Sequence, residues 1–443
     1  MNTDNVLATA ACVTAFAMFS HLALAVESER TVTSQEVVSE ALAHSYQLKI
    51  ADIETQVQEF KVKEAAAGAL PSLNIAASVS RYNGLQDLVL APIISIPAVE
   101  DRYGVYAELS QVLFTGGRIS NSRRAAVLDK ASAEASMEAT DADLRLQTLT
   151  AYWNWSKAFL ALAALEASAK TIESHCNNVQ NQLKSGLATE NDALSSEVLL
   201  DQTNLKLQDA QRNLNLARAE VAFVIGHDLP LEVIPEKPDL AGLASIPPEP
   251  KQSVIEDALA VRPEKASSES AYKSAKAQVG VTRSAYYPQV SLVARYEEGR
   301  PNAMFFPPVN EWNEDTFVGA VLSWNIFEGG LTHAKVMETT QRAKQAKLRV
   351  QQVSDSIALE VKEARIRLDS AIARISVAQR AEKSALRNLE VSRNQLASGT
   401  ARHSDVLDAE SRYADATYEL AVSGADAALA KAVMDHAMGT LGR

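Results

Sequence analysis

Two stretches of the chain stand 213 positions apart and read nearly alike. Leu109-Ser110-Gln111-Val112-Leu113-Phe114-Thr115-Gly116-Gly117 returns as Leu322-Ser323-Trp324-Asn325-Ile326-Phe327-Glu328-Gly329-Gly330, and Ser185-Gly186 returns as Ser398-Gly399. Upstream the offset is 217: Ala41-Leu42-Ala43 matches Ala258-Leu259-Ala260, and Pro71 matches Pro288. The four extra residues of the first half fall between the proline and the Gly-Gly pair, which places the length change in a surface loop. A chain that repeats at this scale is expected to fold as two copies of one supersecondary unit.

Each copy carries the same punctuation. A helix opens it, with Thr33 and Glu36 spaced as a capping box in the first half. Leu70-Pro71 and Tyr287-Pro288 stop that helix, because proline lacks the N–H and crowds the preceding turn. Two alternating segments follow, separated by a loop. Gly-Gly then precedes a long helical run, from Gly117 to Gly186 and from Gly330 to Gly399. A helix of that span is roughly 100 Å long at 1.5 Å per residue. A second helix returns from each tip glycine. Between the copies, 227–252 holds Pro230, Pro235, Pro238, Pro247, Pro248 and Pro250, which marks a connector. The expected organisation is a leader at 1–25, a first repeat at 26–226, the connector at 227–252 and a second repeat at 253–443.

The returning helices carry a seam. Leu207, Ala210, Leu214, Ala217, Val221 and Val224 are spaced 3-4-3-4-3, and Val406, Ala409, Tyr413, Ala416, Leu420, Ser423, Ala427, Ala430 and Met434 extend the pattern. Such spacing is that of a coiled-coil seam, and its small residues allow close helix approach. An ordinary antiparallel helical hairpin has the same signature.

The alternating segments point to a compartment. Leu73, Ile75, Ala77 and Val79 alternate with polar or small residues. Val105, Ala107 and Leu109 alternate with Tyr106, Glu108 and Ser110; Val290, Leu292, Ala294 and Tyr296 with Ser291, Val293 and Arg295; and Val318, Ala320, Leu322, Trp324 and Ile326 with Gly319, Ser323 and Asn325, though Val321 breaks the pattern. Each run is about 8–11 residues, the length of an outer-membrane strand. Tyr82, Tyr103, Phe114, Tyr286, Tyr287, Trp324 and Phe327 cluster at the ends, as an interfacial girdle does. Four strands cannot close a membrane barrel, since known ones begin at about eight. An open sheet edge cannot face lipid. Several chains must therefore share one barrel: two would supply eight strands, three would supply 12 and a lumen. The first loop, Leu88-Val89-Leu90-Ala91-Pro92-Ile93-Ile94-Ser95-Ile96-Pro97, is unusually apolar for an external tip.

With these residues in view, the chain resembles the TolC-type outer-membrane efflux proteins, the outer membrane factors. Leu70-Pro71-Ser72-Leu73, Leu113 through Arg118, Arg262-Pro263-Glu264, Tyr287-Pro288-Gln289-Val290, Asn325 through Gly330, and Ser398-Gly399-Thr400 through Asp408-Ala409 carry the likeness. The resemblance implies an α+β membrane protein in which four outer-membrane strands and long coiled-coil helices per chain assemble as a homotrimer. Its 12-stranded β-barrel would continue into a periplasmic α-helical barrel. Implied partners are a periplasmic adaptor (membrane fusion) protein, an inner-membrane transporter and outer-membrane lipid. The function implied is an exit duct for tripartite efflux or type I secretion. A soluble periplasmic coiled-coil scaffold or adaptor is the alternative; it explains the helices but not four symmetric membrane-length strands.

The resemblance also locates the functional end at the helix turns opposite the strands. Asp405 and Asp408, at i and i+3, share a helix face. The family pairs aspartates here as a carboxylate ring at the periplasmic mouth, and Asp192 matches Asp405 in the first repeat, where Ser195 replaces the second acid. Acids this close to a helix start also simply favour the macrodipole. Leu396 and Ala401 occupy the places of an expected latch aromatic and basic residue, with Arg402 as a weak substitute. Gly186, Leu187, Gly399 and Thr400 are the expected adaptor-contact turn.

Other classes are poorly supported. The net charge of −12, from 55 acidic and 43 basic residues, lacks the basic footprint of nucleic-acid binding. Cys12 and Cys176 are too few for a disulfide framework or thiolate zinc site. No cofactor loop, metal-ligand pair or nucleophile motif is present, so neither catalysis nor a cofactor is expected. His175 reads as a surface or seam histidine and His403 as a solvated turn residue. At the N-terminus, 6–25 is apolar, with an Ala23-Leu24-Ala25 cleavage site of the signal-peptide kind, though Asp4 replaces the usual basic residue and Ala8-Thr9-Ala10-Ala11 is a poor lipobox for Cys12.

Overall fold

The computed structural model describes residues 30–91, 94–96, 98–244, 251–306 and 309–442; the expected leader lies outside them. In chain order the elements are β1 (Arg30–Val32), α1 (Ser34–His44), α2 (Tyr46–Ala67), β2 (Ser72–Arg81), β3 (Leu88–Ala91), β4 (Ile94–Ile96), β5 (Asp101–Phe114), α3 (Arg118–Lys184) and α4 (Glu190–Ile225). Then come β6 (Val233–Pro235), α5 (Leu240–Ala244), α6 (Lys251–Val261), α7 (Pro263–Arg283), a 3₁₀ turn (Ser284–Tyr286), β7 (Gln289–Arg300), β8 (Asn313–Ser323), α8 (Leu331–Ala397) and α9 (His403–Ala437). The long helices α3 and α8 are each 67 residues. No described helix is long and apolar enough to cross a membrane.

The opening helix of each half is two helices rather than one. The breaks fall at Ser45 and Arg262, which are 217 positions apart and share an extended backbone, with φ and ψ of −60° and 123° and of −63° and 123°. Pro263 accounts for the second break, because the residue before proline is driven out of the helical region. The Thr33–Glu36 capping box is present in both of its bonds.

The chain forms two compact units: Met1–Ser45 with Leu144–Glu249 and Ala364–Asp435, and Tyr46–Asp143 with Pro250–Glu363 and His436–Arg443. Each draws on both halves of the sequence. In the first, the seam of α4 is buried at Ala210, Leu214, Ala217 and Val221, against Tyr152, Trp155 and Leu162 of α3 and Val37 and Ala41 of α1. Fully burying each large side chain contributes about 1.5–3 kcal/mol. The Tyr152 hydroxyl donates to Val32 O at 2.9 Å and accepts from Glu236 N at 3.0 Å. It thereby ties down the parallel β1–β6 pair, in which Val32 faces Pro235. The α9 seam is buried likewise: Val406 and Ala409 pack with Leu389 of α8, and Ala427 packs with Ile375.

In the second unit, one antiparallel sheet has the order β2-β5-β7-β8. Register sorts its faces. Leu73, Leu109, Ala294 and Val318 are successive partners across all four strands. One residue along, Asn74, Glu108, Arg295 and Phe317 form the neighbouring row on the opposite face. Arg295 Nε donates to Glu108 at 2.9 Å, and its guanidinium lies 4.8 Å from the Tyr106 ring centre. The apolar face is exposed: Leu73, Ile75, Val79 and Val318 are 67%, 69%, 78% and 67% accessible.

β8 is shorter at its C-terminal end than the alternation predicts. It stops at Ser323, the partner of Gln289, leaving Trp324 through Ile326 outside the strand. Pro288, just before Gln289, has no N–H to extend the ladder. The Trp324 indole instead donates to Tyr286 O at 3.1 Å, and Asn325 bonds Glu328. β5, by contrast, runs 14 residues, past the expected length. The apolar first loop forms its own hairpin, β3 with β4, and does not extend the sheet; Pro92, Ile93 and Pro97 lie outside the described residues. Gly116, at φ +60°, turns β5 into α3; a Cβ there would sit 2.6 Å from Tyr287 Cβ and 2.8 Å from Ser284 O, so only glycine fits.

Candidate functional site

The two tip turns are built identically. Gly186 and Gly399 adopt the left-handed conformation, with φ of 72° and 73°. The next residue closes a six-to-one bond in each: Leu187 N to Gln182 O and Thr400 N to Gln395 O, both 2.9 Å. Gly186 N to Leu183 O and Gly399 N to Leu396 O, both 3.0 Å, complete two Schellman C-caps. Gly186, Leu187, Gly399 and Thr400 are all exposed, Leu187 to 77%.

The acids beyond the turns divide by role. Asp192 is the third residue of α4 and closes a capping box with Thr189: its carboxylate accepts from Thr189 N at 3.0 Å and from the Thr189 hydroxyl at 2.6 Å. The hydroxyl bond first, then the backbone bond, holds the Asp192 carboxyl below the usual carboxylate range, and His403 adds to this. Asp405 accepts from Arg402 N at 2.9 Å, the same backward bond, but Arg402 has no side-chain acceptor to reciprocate. Asp408 is exposed and makes no hydrogen bond or ion pair among the described residues. Leu396, expected near a latch, packs into the Leu389–Val406–Ala409 cluster beside Tyr413.

A cluster that the linear reading missed lies where α3, α8 and α9 meet. His175 Nδ1 is 3.7 Å from Glu410 Oε1, which also accepts from Arg393 at 2.9 Å. The ring centres of His175 and His403 are 6.0 Å apart. His175 takes the seam position, one of the two expected of it, with its side chain 11% accessible, whereas His403 is not a solvated turn residue: it is half-buried with its Nδ1 fully covered. The available signal was Glu410, four residues beyond Val406 and beside the buried seam residue Ala409.

Among the described residues, Asp143, Glu264 and His436 have ligand atoms within 4.8 Å of one another. Arg262 takes both Glu264 oxygens, at 2.8 and 2.6 Å, and His436 Nε2 sits 2.9 Å from Asp143. A cation there would meet the guanidinium, so the group is an ion-pair network. It also shows what Arg262-Pro263-Glu264 does: Arg262, only 5% accessible, donates to His436 O and Ala437 O and thereby caps α9.

The chain matches the family described as outer membrane efflux protein over residues 37–227 and 254–440. It is 23% identical over 320 residues to the probable efflux pump outer membrane protein TtgC of Pseudomonas putida, covering 65% of this chain and 64% of that one. The alignment thus spans somewhat less than two thirds of that relative. It is 24% identical over 390 residues to the outer membrane protein OprJ of Pseudomonas aeruginosa, covering 86% and 77%. The solved CusC structure superposes with a TM-score of 0.78 at 20% identity, over 92% of each chain, which is likeness of fold. With both halves matched, the chain belongs to the outer membrane efflux protein family.

Proposed function

We propose that the chain is the outer-membrane exit duct of a tripartite efflux or type I secretion system. One observation carries the reading: a four-stranded sheet of membrane-spanning length with an exposed apolar face, whose outer strands β2 and β8 each have a single partner among the described residues. In lipid such edges must be paired, and the only way to pair them with identical chains is edge to edge around an axis. Three copies give 12 strands and a lumen lined by the Glu108–Arg295 face. The duplicated halves then place six long helical hairpins in one periplasmic tube. Helix α2 supports the assembly: Tyr46, Ile50, Ile53, Val57 and Phe60, spaced 4-3-4-3, are all exposed, as an unpartnered seam is. A soluble scaffold would not expose such a sheet face.

In this reading the tip turns meet a periplasmic adaptor through Gly186, Leu187, Gly399 and Thr400, and an inner-membrane transporter supplies the cargo. Asp405 and Asp408, with Asp192 and Arg402 nearby, line the periplasmic entrance, where threefold symmetry concentrates carboxylates and draws cations. Mass measurement of the detergent-extracted protein tests the assembly, and planar-bilayer recording tests the duct. A trimer with stable conductance is expected; a stable monomer would overturn the shared barrel.

A further inference from the structure

Among the described residues, three polar atoms are buried without a hydrogen-bond partner at one place beside the tip turns: His175 Nε2, His403 Nδ1 and Glu410 Oε2. The Glu410 side chain is 2% accessible, and its charge is already met by Arg393. The groups facing His175 are Glu410 and His403 from α9 and Arg393 from α8. On the α4 side, Ser196 lies 3.6 Å from Cys176, and Glu197 accepts from Gln180. Asp192 of α4 also faces His403, which helps to hold the Asp192 carboxyl low. With both imidazoles neutral, the one buried charge is the Glu410 carboxylate, which the half-exposed Arg393 guanidinium meets from the rim. A proton added to His175 puts a second positive group on a carboxylate that already serves Arg393, in a covered site.

We propose that His175, held between His403 and Glu410, is a proton-binding switch whose charging loosens the junction of α3, α8 and α9. Burial chiefly holds His175 below the usual imidazole range; Glu410 pulls the other way, and His403 and Arg393 reinforce the lowering. An imidazole held low when packed takes protons more readily once exposed. The packed junction is therefore favoured above about pH 6.5 and loses ground as pH falls from there toward the packed value. The proposal rests on the duct reading only for what the junction would gate.

Hydrogen–deuterium exchange of the full chain in detergent, at about pH 7.5 and about pH 5.5, spans the imidazole range and tests it. Rates are corrected for intrinsic chemistry and referred to 207–224. Segments 170–184 and 403–413 should exchange severalfold faster in acid, and a His175→Gln/His403→Gln variant should lose that acid response. Equal protection at both pH values, the same loosening across 207–224, or an undiminished response in the double variant would overturn the switch. Should the double variant not fold, His403→Gln alone, at a half-buried position, must show a reduced response, and an unchanged one overturns the proposal. Exchange needs no pore, so failure here leaves the duct reading standing, and a non-conducting protein leaves the exchange result intact.

Discussion

Asp192 and Asp405 stand 213 positions apart and do the same job in two helices: each returns a carboxylate oxygen to the backbone N–H three residues before it, at 3.0 Å from Thr189 N and 2.9 Å from Arg402 N. Only the first is reciprocated, because threonine offers a hydroxyl acceptor and arginine does not. The acid matched between the repeats is thus engaged in ending a turn, and Asp408 is left as the unengaged charge.

That division separates charge from capping. Asp408→Asn removes three charges per proposed trimer and touches no cap, so cation selectivity in planar bilayers should fall and multivalent block should weaken. Thr189→Ala should instead cost about 1 kcal/mol of local stability at the start of α4 with selectivity unchanged. Because the Asp192 carboxyl is held low, its contribution is present above the ordinary aspartate range and is lost as pH falls through the lowered value. Unaltered selectivity and block in Asp408→Asn would remove that residue from the entrance.

The register predicts which positions see lipid. In a Cys176→Ser background, cysteines at Leu73, Leu109 and Val318 should react with membrane-partitioned reagents. Those at Ser72, Asn74 and Ser110, on the Glu108–Arg295 face, should react with aqueous ones. Equal labelling of both sets would be incompatible with a membrane-spanning sheet.

Arg262→Ala should be among the most damaging single changes outside the sheet. It leaves two buried-end α9 carbonyls and the partly solvated Glu264 and Glu360 carboxylates without their shared donor, at a cost of about 1–3 kcal/mol. Arg262→Lys should recover little, since an ammonium cannot span both carboxylates and both carbonyls. Thermal unfolding of the two variants measures the difference.

Tyr152→Phe deletes one oxygen that serves two backbone groups, Val32 O and Glu236 N, and should cost about 1–3 kcal/mol. Burial pushes the phenol up to about 12. Its contribution is therefore intact below pH 10 and lost as pH rises from there through about 12. Alkaline unfolding of the wild type and variant should converge over that window.

The sequence by itself determined the strand faces, the 67-residue helices, the tip turns and the capping box of Thr33. Each follows from local backbone physics: a period of two along a strand, a period of about 3.5 along a seam, and glycine where φ is positive. The break at Ser45 escaped it because no proline or glycine marks the position, whereas Pro263 marks its counterpart. Only the tertiary structure decided where β8 ends, since a strand stops when its neighbour has no donor left, at Pro288. It also decided which charges are engaged and which are free. Arg262 finds Glu360, and His175 finds Glu410, across chain separations that no periodicity spans. Burial and pairing between distant residues are properties of what packs against a side chain, and the local spacing of the chain does not carry them.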